Sequence, residues 1–403
     1  MLPTSPKSNQ ADICIVGGAG HVGLPLALVF ASRGRKVLVY DTNAGAIKTI
    51  REGKMPFMER QGEAFLHHAL SEKRLILAET PDGVHETRTV IITIGTPVDE
   101  FLNPSLNHMK RCLEGLLPFF RENQLLCFRS TIYPGMTEFV ARFVESRGLK
   151  LKVSFCPERI VQGNAIEELQ SLPQIVSGVT PEAEEAAAEL FSLISPEIVR
   201  LQPLEAELAK LFSNAYRYIQ FSVTNQFFMI AKAAGADYER ILYGMKHNYA
   251  RAQGFPGAGL AAGPCLLKDT MQLAAFEGGD FGLGYQAMLV NEGMPQFLVD
   301  QISAKHHLAQ ATVGLLGMAF KAESDDIRSS LSYKLKKLLT FKAKGVLTAD
   351  PYVRVDQEIL PVEEVVERSD ILILCVPHQC YRNLDTKSKC LVDIWNFWRD
   401  SNS

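Results

Sequence analysis

The sequence predicts an α/β protein in which two regions of short apolar strands alternating with helices flank a helical middle. Three observations carry this. Near the start, Asp12-Ile-Cys-Ile-Val-Gly17 is an apolar strand running into a glycine turn and then a helix. From Leu204 to Ala234 the chain is poor in glycine and proline and keeps a helical apolar period, as one long helix or two joined helices would. From Thr312-Val-Gly-Leu-Leu-Gly317 the strand–helix alternation resumes.

The elements follow in order. His21 to Arg33 is a helix with Leu24, Leu26, Ala27, Leu28 and Phe30 apolar. Lys36 to Asp41, Arg74–Leu77, Thr89–Ile94 and Leu125–Arg129 are further strands. Strands apolar throughout belong to a parallel sheet covered on both faces. Gly254 to Gly263 breaks the helical middle, and Thr270 to Ser303 is helical again apart from Gly278 to Gly284. The last region holds helices at Leu331–Leu339 and Val362–Val366, with strands at Gly345–Leu347, Ile371–Val376 and Cys390–Asp393. The expected domains are residues 11–200, 201–304 and 305–403.

Composition excludes several classes of function. The 403 residues carry a net charge of −3, with 47% hydrophobic and 22% charged residues. That mild acidity, without a polybasic run, gives no reason to expect nucleic acid or a membrane surface as partner. No apolar stretch approaches the ~20 residues that span a bilayer, and Met1 to Gln10 reads as a loose polar tail. None of the eight cysteines forms a C-x-x-C pair, so no metal is expected. All except Cys265 read as small core hydrophobes of a reducing, cytoplasmic compartment.

Gly18, Gly20 and Gly23 satisfy G-x-G-x-x-G between a strand and a helix. In such a turn the first glycine permits the tight bend, the second admits a pyrophosphate and the third packs helix on strand. The helix N-terminus at His21 and Val22 supplies free N–H groups for phosphate. Asp41 lies 18 residues after Gly23 at a strand end. Its carboxylate can accept from ribose hydroxyls and repels a 2′-phosphate, which favours NAD over NADP.

On the long helix, Lys210 and Asn214 are four residues apart and share a face, with Glu207 one turn earlier. A solvated face is one reading; a buried lysine that needs a partner or a task is the other. Cys265 stands in Gly263-Pro-Cys-Leu-Leu-Lys-Asp269, at the end of the glycine-rich run. Nicotinamide alone suggests a single hydride transfer. A cysteine nucleophile added to it allows an alcohol to be carried past the aldehyde to the acid.

Together these pieces resemble the nucleotide-sugar dehydrogenase family that includes UDP-glucose, GDP-mannose and UDP-N-acetylmannosamine dehydrogenases. The matching pieces are Gly18-Ala-Gly-His-Val-Gly23, Gly95-Thr-Pro97, Ser130-Thr-Ile-Tyr-Pro-Gly135 and Pro157-Glu158, then Lys210-x-x-x-Asn214 and Gly263 to Asp269. Gly317-Met-Ala-Phe-Lys321, Asp325-Asp-Ile-Arg328 and Asp350-Pro351 complete them. The resemblance runs from about Asp12 to Asp393. It implies two Rossmann-like domains joined by a long central helix, NAD as cofactor, a UDP-sugar as substrate and a homodimer formed through the helical middle.

The resemblance also implies roles. Cys265 attacks the C6 aldehyde to give a thiohemiacetal, whose oxidation leaves a thioester for water to hydrolyse. Lys210 and Asn214 face the oxyanion, and Asp269 positions a water or serves as base. Glu158 is a candidate base for hydrolysis, with Thr131 orienting the water. The cofactor is met by Gly18, Gly20, His21, Val22, Gly23 and Asp41, and by Thr96, Thr131, Lys268 and Arg328. Substrate is met by Glu158, Arg159, Lys210, Asn214, Gly263 and Lys321, with Arg251 reaching a neighbouring protomer's substrate.

Arg159 and Gln162 stand where UDP-glucose members carry phenylalanine and a second acid, and Gly-Pro-Cys replaces Gly-Gly-Ser-Cys. Both departures resemble the branches acting on UDP-N-acetylhexosamines, so N-acetylmannosamine is the favoured sugar and UDP-glucose the alternative. Trp395 stands where many members carry arginine, which removes one candidate phosphate or base contact from the last domain. A two-electron hydroxyacid dehydrogenase and a non-catalytic nucleotide-sugar sensor are the competing readings.

Overall fold

The structure, a computed structural model, describes residues 11–96, 99 and 106–398. Met1 to Gln10 and Pro97, both used in the sequence reading, lie outside them. Strand β1 (Ile13–Val16) leads through the glycine turn into α1 (Gly23–Ser32) and β2 (Val37–Tyr40). Next come α2 (Ala44–Arg51), α3 (Gly62–Ser71), β3 (Leu75–Ala78) and β4 (Thr89–Ile92). The alternation continues through α4 (Leu106–Leu116), β5 (Leu125–Phe128), α5 (Met136–Ser146) and β6 (Lys152–Phe155). It ends with α6 (Ala165–Ser171), β7 (Gln174–Gly178), α7 (Pro181–Phe191) and β8 (Ile198–Arg200).

These strands form one sheet in the order β3-β2-β1-β4-β5-β6-β7-β8. Each strand sends alternate residues to opposite cores: Ile13 and Ile15 of β1 face the core shared with α1 and α7, while Cys14 and Val16 face the one shared with α5. Two apolar faces are the reason β1 reads as an unbroken apolar run. The sheet is parallel, as expected, at every pairing but one. β7 runs antiparallel to β6, through the pairs Ser154↔Gly178 and Phe155↔Ser177. The sequence reading did not pick out β6, β7 or β8: Lys152 and Ser154 interrupt the apolar run of β6, and β8 has only 3 residues.

The chain divides into two compact units, Met1–Phe212 and Ser213–Ser403. Helix α8 (Pro203–Ala233) crosses the division as a single helix. In the second unit follow α9 (Tyr238–Lys246), α10 (Leu266–Phe276) and α11 (Gly282–Ser303). Then come β9 (Thr312–Leu316), α12 (Leu331–Thr340), β10 (Gly345–Ala349), α13 (Val362–Arg368), β11 (Ile371–Leu374) and β12 (Cys390–Asp393). The last four strands make a parallel sheet in the order β10-β9-β11-β12. Phe228 of α8 and Met294 and Leu298 of α11 share one core with Val313, Leu315 and Ile373 of that sheet. Among the described residues, no helix is long and apolar enough to cross a membrane.

Candidate active site

The first unit builds a dinucleotide cradle from its glycine turn. The left-handed conformation falls on Gly17 (φ +75°), one residue before the expected Gly18. Gly18 is required for a different reason: a Cβ there would stand 2.7 Å from Ile15 O. At Gly23 a Cβ would stand 2.6 Å from Gly17 O, so the helix can approach the turn only without one. Gly20 differs, because its Cβ would meet nothing nearer than Gly17 O at 3.5 Å. Its open face is where a pyrophosphate can approach. Val22 caps α1 without a side-chain bond, and the first turn carries no acid, so that helix end suits an anion. His21 stacks on Phe57 with ring centroids 4.1 Å apart. Asp41 Oδ2 accepts Ala19 N–H (3.0 Å) and Oδ1 accepts Asn43 N–H (2.9 Å). Each oxygen keeps a lone pair for a ribose hydroxyl, so this residue set fits NAD.

The loops after β4, β5 and β6 are laced together. Thr96 Oγ1 donates to Thr131 O (2.6 Å), and Ser130 Oγ donates to Ile94 O (2.6 Å). Arg129, buried at the end of β5, forms an ion pair with Glu158 at 2.6 Å. The other Glu158 oxygen accepts Arg159 N–H (2.8 Å) and Ile160 N–H (3.0 Å). Glu158, expected as a free base or substrate contact, is thus fully engaged within the protein. Arg159 donates its guanidinium to Pro173 O.

Glu207 is not on a solvated face. It is buried, and its carboxylate accepts Gly135 N–H (2.5 Å), Thr137 N–H (2.9 Å) and the Thr137 hydroxyl (2.5 Å). Burial pushes its carboxyl upward, against the pull of these three donors. The bonds cap α5 and tie the first turns of α8 to the segment that follows Thr131. Lys210, one turn further along α8, is half-buried.

In the second unit Cys265 occupies the N-cap position of α10, with its thiol exposed. Asp269 lies one turn into the helix and is fully buried. Its Oδ2 accepts the Asn214 side-chain amide at 2.5 Å. Lys268 Nζ lies 3.2 Å from Oδ1, within ion-pair range, yet Oδ1 has no hydrogen bond. The ammonium therefore attracts it from off the hydrogen-bonding direction. Gly263 (φ +116°) lies flush on Phe320, where a Cβ would come within 2.7 Å of the ring. Its N–H reaches Ser329 O at 3.4 Å. Next to Ser329, Arg328 grips Asp326 through Nε (3.0 Å) and Nη2 (2.6 Å). That bond raises the guanidinium pKa, and the charge of Cys265 adds to the effect. Arg328, expected at the cofactor, is therefore also within electrostatic reach of the thiol. Lys321 is half-buried on the same loop. Arg251 is exposed, its guanidinium 4.9 Å from the Tyr249 ring centroid.

The other thiols contrast with Cys265. Burial pushes Cys14 and Cys375 up to about 12 and Cys112 up to about 11. Cys380 departs from the core reading, because it is exposed on the loop after β11. Cys390 lies 3.4 Å from His306 Nε2. Trp395 has a packing role: its ring presses on Gly259, and its Nε1 donates to Cys375 O (3.1 Å). Sequence reasoning missed Arg129, Gln174 and His378, whose partners lie 28 to 45 residues away. A charged or polar residue closing an apolar strand, as Arg129 does, was the available signal.

Glycine turn, ribose acid and two nucleotide-type folds define an NAD-dependent dehydrogenase. Comparison with known proteins refines the class. Family models of the UDP-glucose/GDP-mannose dehydrogenase family match as the NAD binding domain (residues 11–195), the central domain (204–292) and the UDP binding domain (314–400). A UDP-N-acetyl-D-mannosamine dehydrogenase of Pyrococcus horikoshii is 30% identical over 92% of this chain and 90% of its own. An NDP-N-acetyl-D-galactosaminuronic acid dehydrogenase of Ralstonia nicotianae is 27% identical, covering 95% of each. Among solved structures, a UDP-D-ManNAc dehydrogenase from Pyrococcus horikoshii superposes with a TM-score of 0.89 at 28% identity, covering 96% of both chains. A UDP-glucose dehydrogenase from Pyrobaculum islandicum gives 0.88 at 26% identity over 99% of this chain and 98% of that one. The chain belongs to the UDP-glucose/GDP-mannose dehydrogenase family, and it is an NAD-dependent nucleotide-sugar dehydrogenase.

Proposed function

We propose that the protein oxidises the C6 hydroxyl of a UDP-sugar to the carboxylate through a covalent adduct on Cys265. The observation that carries this is the thiol itself. It is exposed at the N-terminal end of an 11-residue helix, with the buried Asp269–Asn214 pair one turn behind it. A helix N-terminus favours the thiolate, the form that attacks carbon.

NAD, when bound, supplies the hydride acceptor for both oxidations. The chain supplies the rest. Cys265 adds to the aldehyde carbon and creates the oxyanion that the second oxidation needs. Lys210 and Asn214 donate to that oxyanion, which binds the transition state more tightly than the ground state. Asp269 holds Asn214 in its donating orientation and Lys268 beside it. Thr131 and Glu158 belong to the hydrolytic half, in which water releases the acid and regenerates the thiol. Lys321, Gly263 and Arg159 serve the sugar nucleotide, and Arg328 serves the cofactor phosphates and the thiolate alike.

The favoured substrate is a UDP-N-acetylhexosamine, N-acetylmannosamine first. Arg159 and Gln162 support it, as do the names of the relatives from Pyrococcus and Ralstonia. The Pyrobaculum likeness keeps UDP-glucose as the alternative. The protein acts as a cytoplasmic homodimer in this reading. Tyr216, Val223, Phe227 and Ile230 form an exposed apolar stripe along one face of α8, and such a stripe on a long helix is a surface for a second copy.

A panel of UDP- and GDP-sugars read by NADH formation tests the whole reading. The expected result is two NADH per sugar consumed, highest with the N-acetylated donor. A ratio near one rejects it. Cys265→Ser should lose uronate formation and keep a slow first oxidation.

A further inference from the structure

We infer that His378 is a positioning residue for the uridine diphosphate end of the substrate, acting through Glu323 on the loop that carries Lys321. The inference rests on the reading above in which Lys321 serves the sugar nucleotide, and it stays within the second unit. The loops after β9, β10 and β11 leave adjacent parallel strands at one carboxyl edge, the edge where open α/β sheets bind ligands. All three lie within residues 314–400, the part that matches a UDP binding domain.

His378, in the loop after β11, is fully buried and packs against the rings of Tyr352 and Tyr381. Each of its ring nitrogens reaches a different loop. Nδ1 accepts the backbone N–H of Glu323 (3.1 Å) in the loop after β9, and Nε2 faces Asp350 Oδ2 (3.2 Å) in the loop after β10. A backbone N–H can only donate, so Nδ1 carries no proton and Nε2 donates to the acid. The same Asp350 oxygen accepts Met318 N–H and Ala319 N–H at the start of the β9 loop. One imidazole thereby helps to fix both ends of the stretch from Met318 to Glu323, with Lys321 between them.

Glu323 shows why that stretch needs fixing. Its φ of +52° lies in the left-handed region, which a residue with a Cβ seldom adopts. Such backbone persists only where its surroundings hold it. The Glu323 side chain is exposed, yet both carboxylate oxygens are engaged. Oε1 accepts the N–H of Gln379, next to His378 (2.8 Å), and Oε2 accepts the Tyr352 hydroxyl (2.8 Å). Without the bond to Nδ1 the strained residue can relax, and Lys321, two residues earlier, moves with it. Ligand affinity then falls with the fraction of molecules whose loop is in its binding position.

Calorimetric titration of UDP into the full-length protein, with steady-state kinetics on a UDP-sugar, tests this. Two substitutions separate the nitrogens. The amide of His378→Asn sets an acceptor where Nδ1 stands and leaves nothing at Nε2. That of His378→Gln reaches the Nε2 position and abandons Nδ1. His378→Gln should weaken UDP roughly tenfold, the worth of one buried hydrogen bond. It should raise KM for the UDP-sugar alike, while kcat falls far less. His378→Asn should bind UDP within about twofold of wild type, although it melts earlier for want of the Asp350 bond. NAD affinity, which belongs to the first unit, should move in neither.

The reverse order, with the asparagine variant weakened and the glutamine variant intact, overturns the inference. So does wild-type affinity in both, or a loss in both that follows the fall in melting temperature, since His378 would then be a strut of the second unit. If neither variant folds, Glu323→Ala at its exposed position replaces them. The same loss of UDP affinity is expected, and wild-type affinity refutes the inference. A wild type that binds no UDP overturns the substrate reading and this inference with it, whereas normal UDP binding with unmoved variants overturns the inference alone.

Discussion

Asp41 and Asp350 close the second strand of their respective sheets in the same way. Each accepts from the turn that follows the first strand: Asp41 from Ala19 N–H at 3.0 Å, Asp350 from Met318 N–H at 2.6 Å and Ala319 N–H at 3.0 Å. The turns match as well. Gly17 N–H donates to Tyr40 O (2.9 Å) and Gly317 N–H to Ala349 O (2.8 Å), and both glycines have positive φ. What differs is the free capacity of the acid. Asp350 also accepts Tyr352 N–H (2.8 Å), Val353 N–H (3.0 Å) and His378 Nε2 (3.2 Å). One turn design therefore serves a ligand-ready acid in the first unit and a saturated, structural one in the second.

Asp41 should govern the choice of cofactor. Asp41→Ala removes the ribose acceptor and the repulsion of a 2′-phosphate. Steady-state kinetics should show KM for NAD raised roughly tenfold, about the loss of one charged hydrogen bond, with the preference over NADP narrowed. An unchanged NAD-to-NADP ratio would contradict this.

Asp350 should make the second unit acid-sensitive. Burial alone would raise its pKa, but His378 and the N–H groups of Val353 and Tyr352 hold it down at about 2. His378 Nδ1 accepts Glu323 N–H (3.1 Å), so the proton on Nε2 faces Asp350. Because the folded state depresses this pKa, its stabilisation is complete above the unfolded value and disappears as pH falls through about 2. It amounts to about 2.5 kcal/mol. The stability gap between wild type and Asp350→Asn in urea should narrow by most of that amount between about pH 5 and about pH 2, the rest being lost below the folded pKa. A gap independent of pH would count against it.

Asn214 and Asp269 should behave as one unit. Asn214→Ala leaves a buried carboxylate oxygen without its donor and should cost roughly 1–3 kcal/mol. Asn214→Asp should cost more, by setting two buried acids together. Adding Asp269→Asn to Asn214→Asp should restore part of the loss, as a double-mutant cycle by chemical denaturation would show.

The glycine-rich run should be sensitive at one position and tolerant at another. A Cβ at Gly259 would come within 2.2 Å of the Trp395 ring, whereas one at Gly257 would meet nothing within 4 Å. Gly259→Ala should destabilise by roughly 1–3 kcal/mol through overpacking, and Trp395→Phe should relieve part of that. Gly257→Ala should stay within about 0.5 kcal/mol. Equal melting temperatures for the two alanine variants would refute the contact.

Much of the molecule was legible in the chain. Strands β1, β2, β4, β5, β9, β11 and β12, the helical character of α8 and the glycine turn all announce themselves by local pattern, although the chain pattern left α8 open as one helix or two. Such signals need no distant partner, because an apolar run, a period or a missing Cβ acts within a few residues. The thiol at Cys265 stood out for the same reason, at the end of a glycine run and the start of a helix.

Tertiary structure alone decided the rest. It reversed β7 against β6, settled Glu207, whose helix face the sequence left open between solvent and core, as the cap of α5, and closed Glu158 onto Arg129. It also distinguished Asp41 from Asp350, two acids in like sequence settings with unlike surroundings. Each of these outcomes depends on which buried donors meet an acceptor across dozens of residues of chain. Burial makes an unmatched polar group costly, so the partners are set by packing in three dimensions, which no local pattern records.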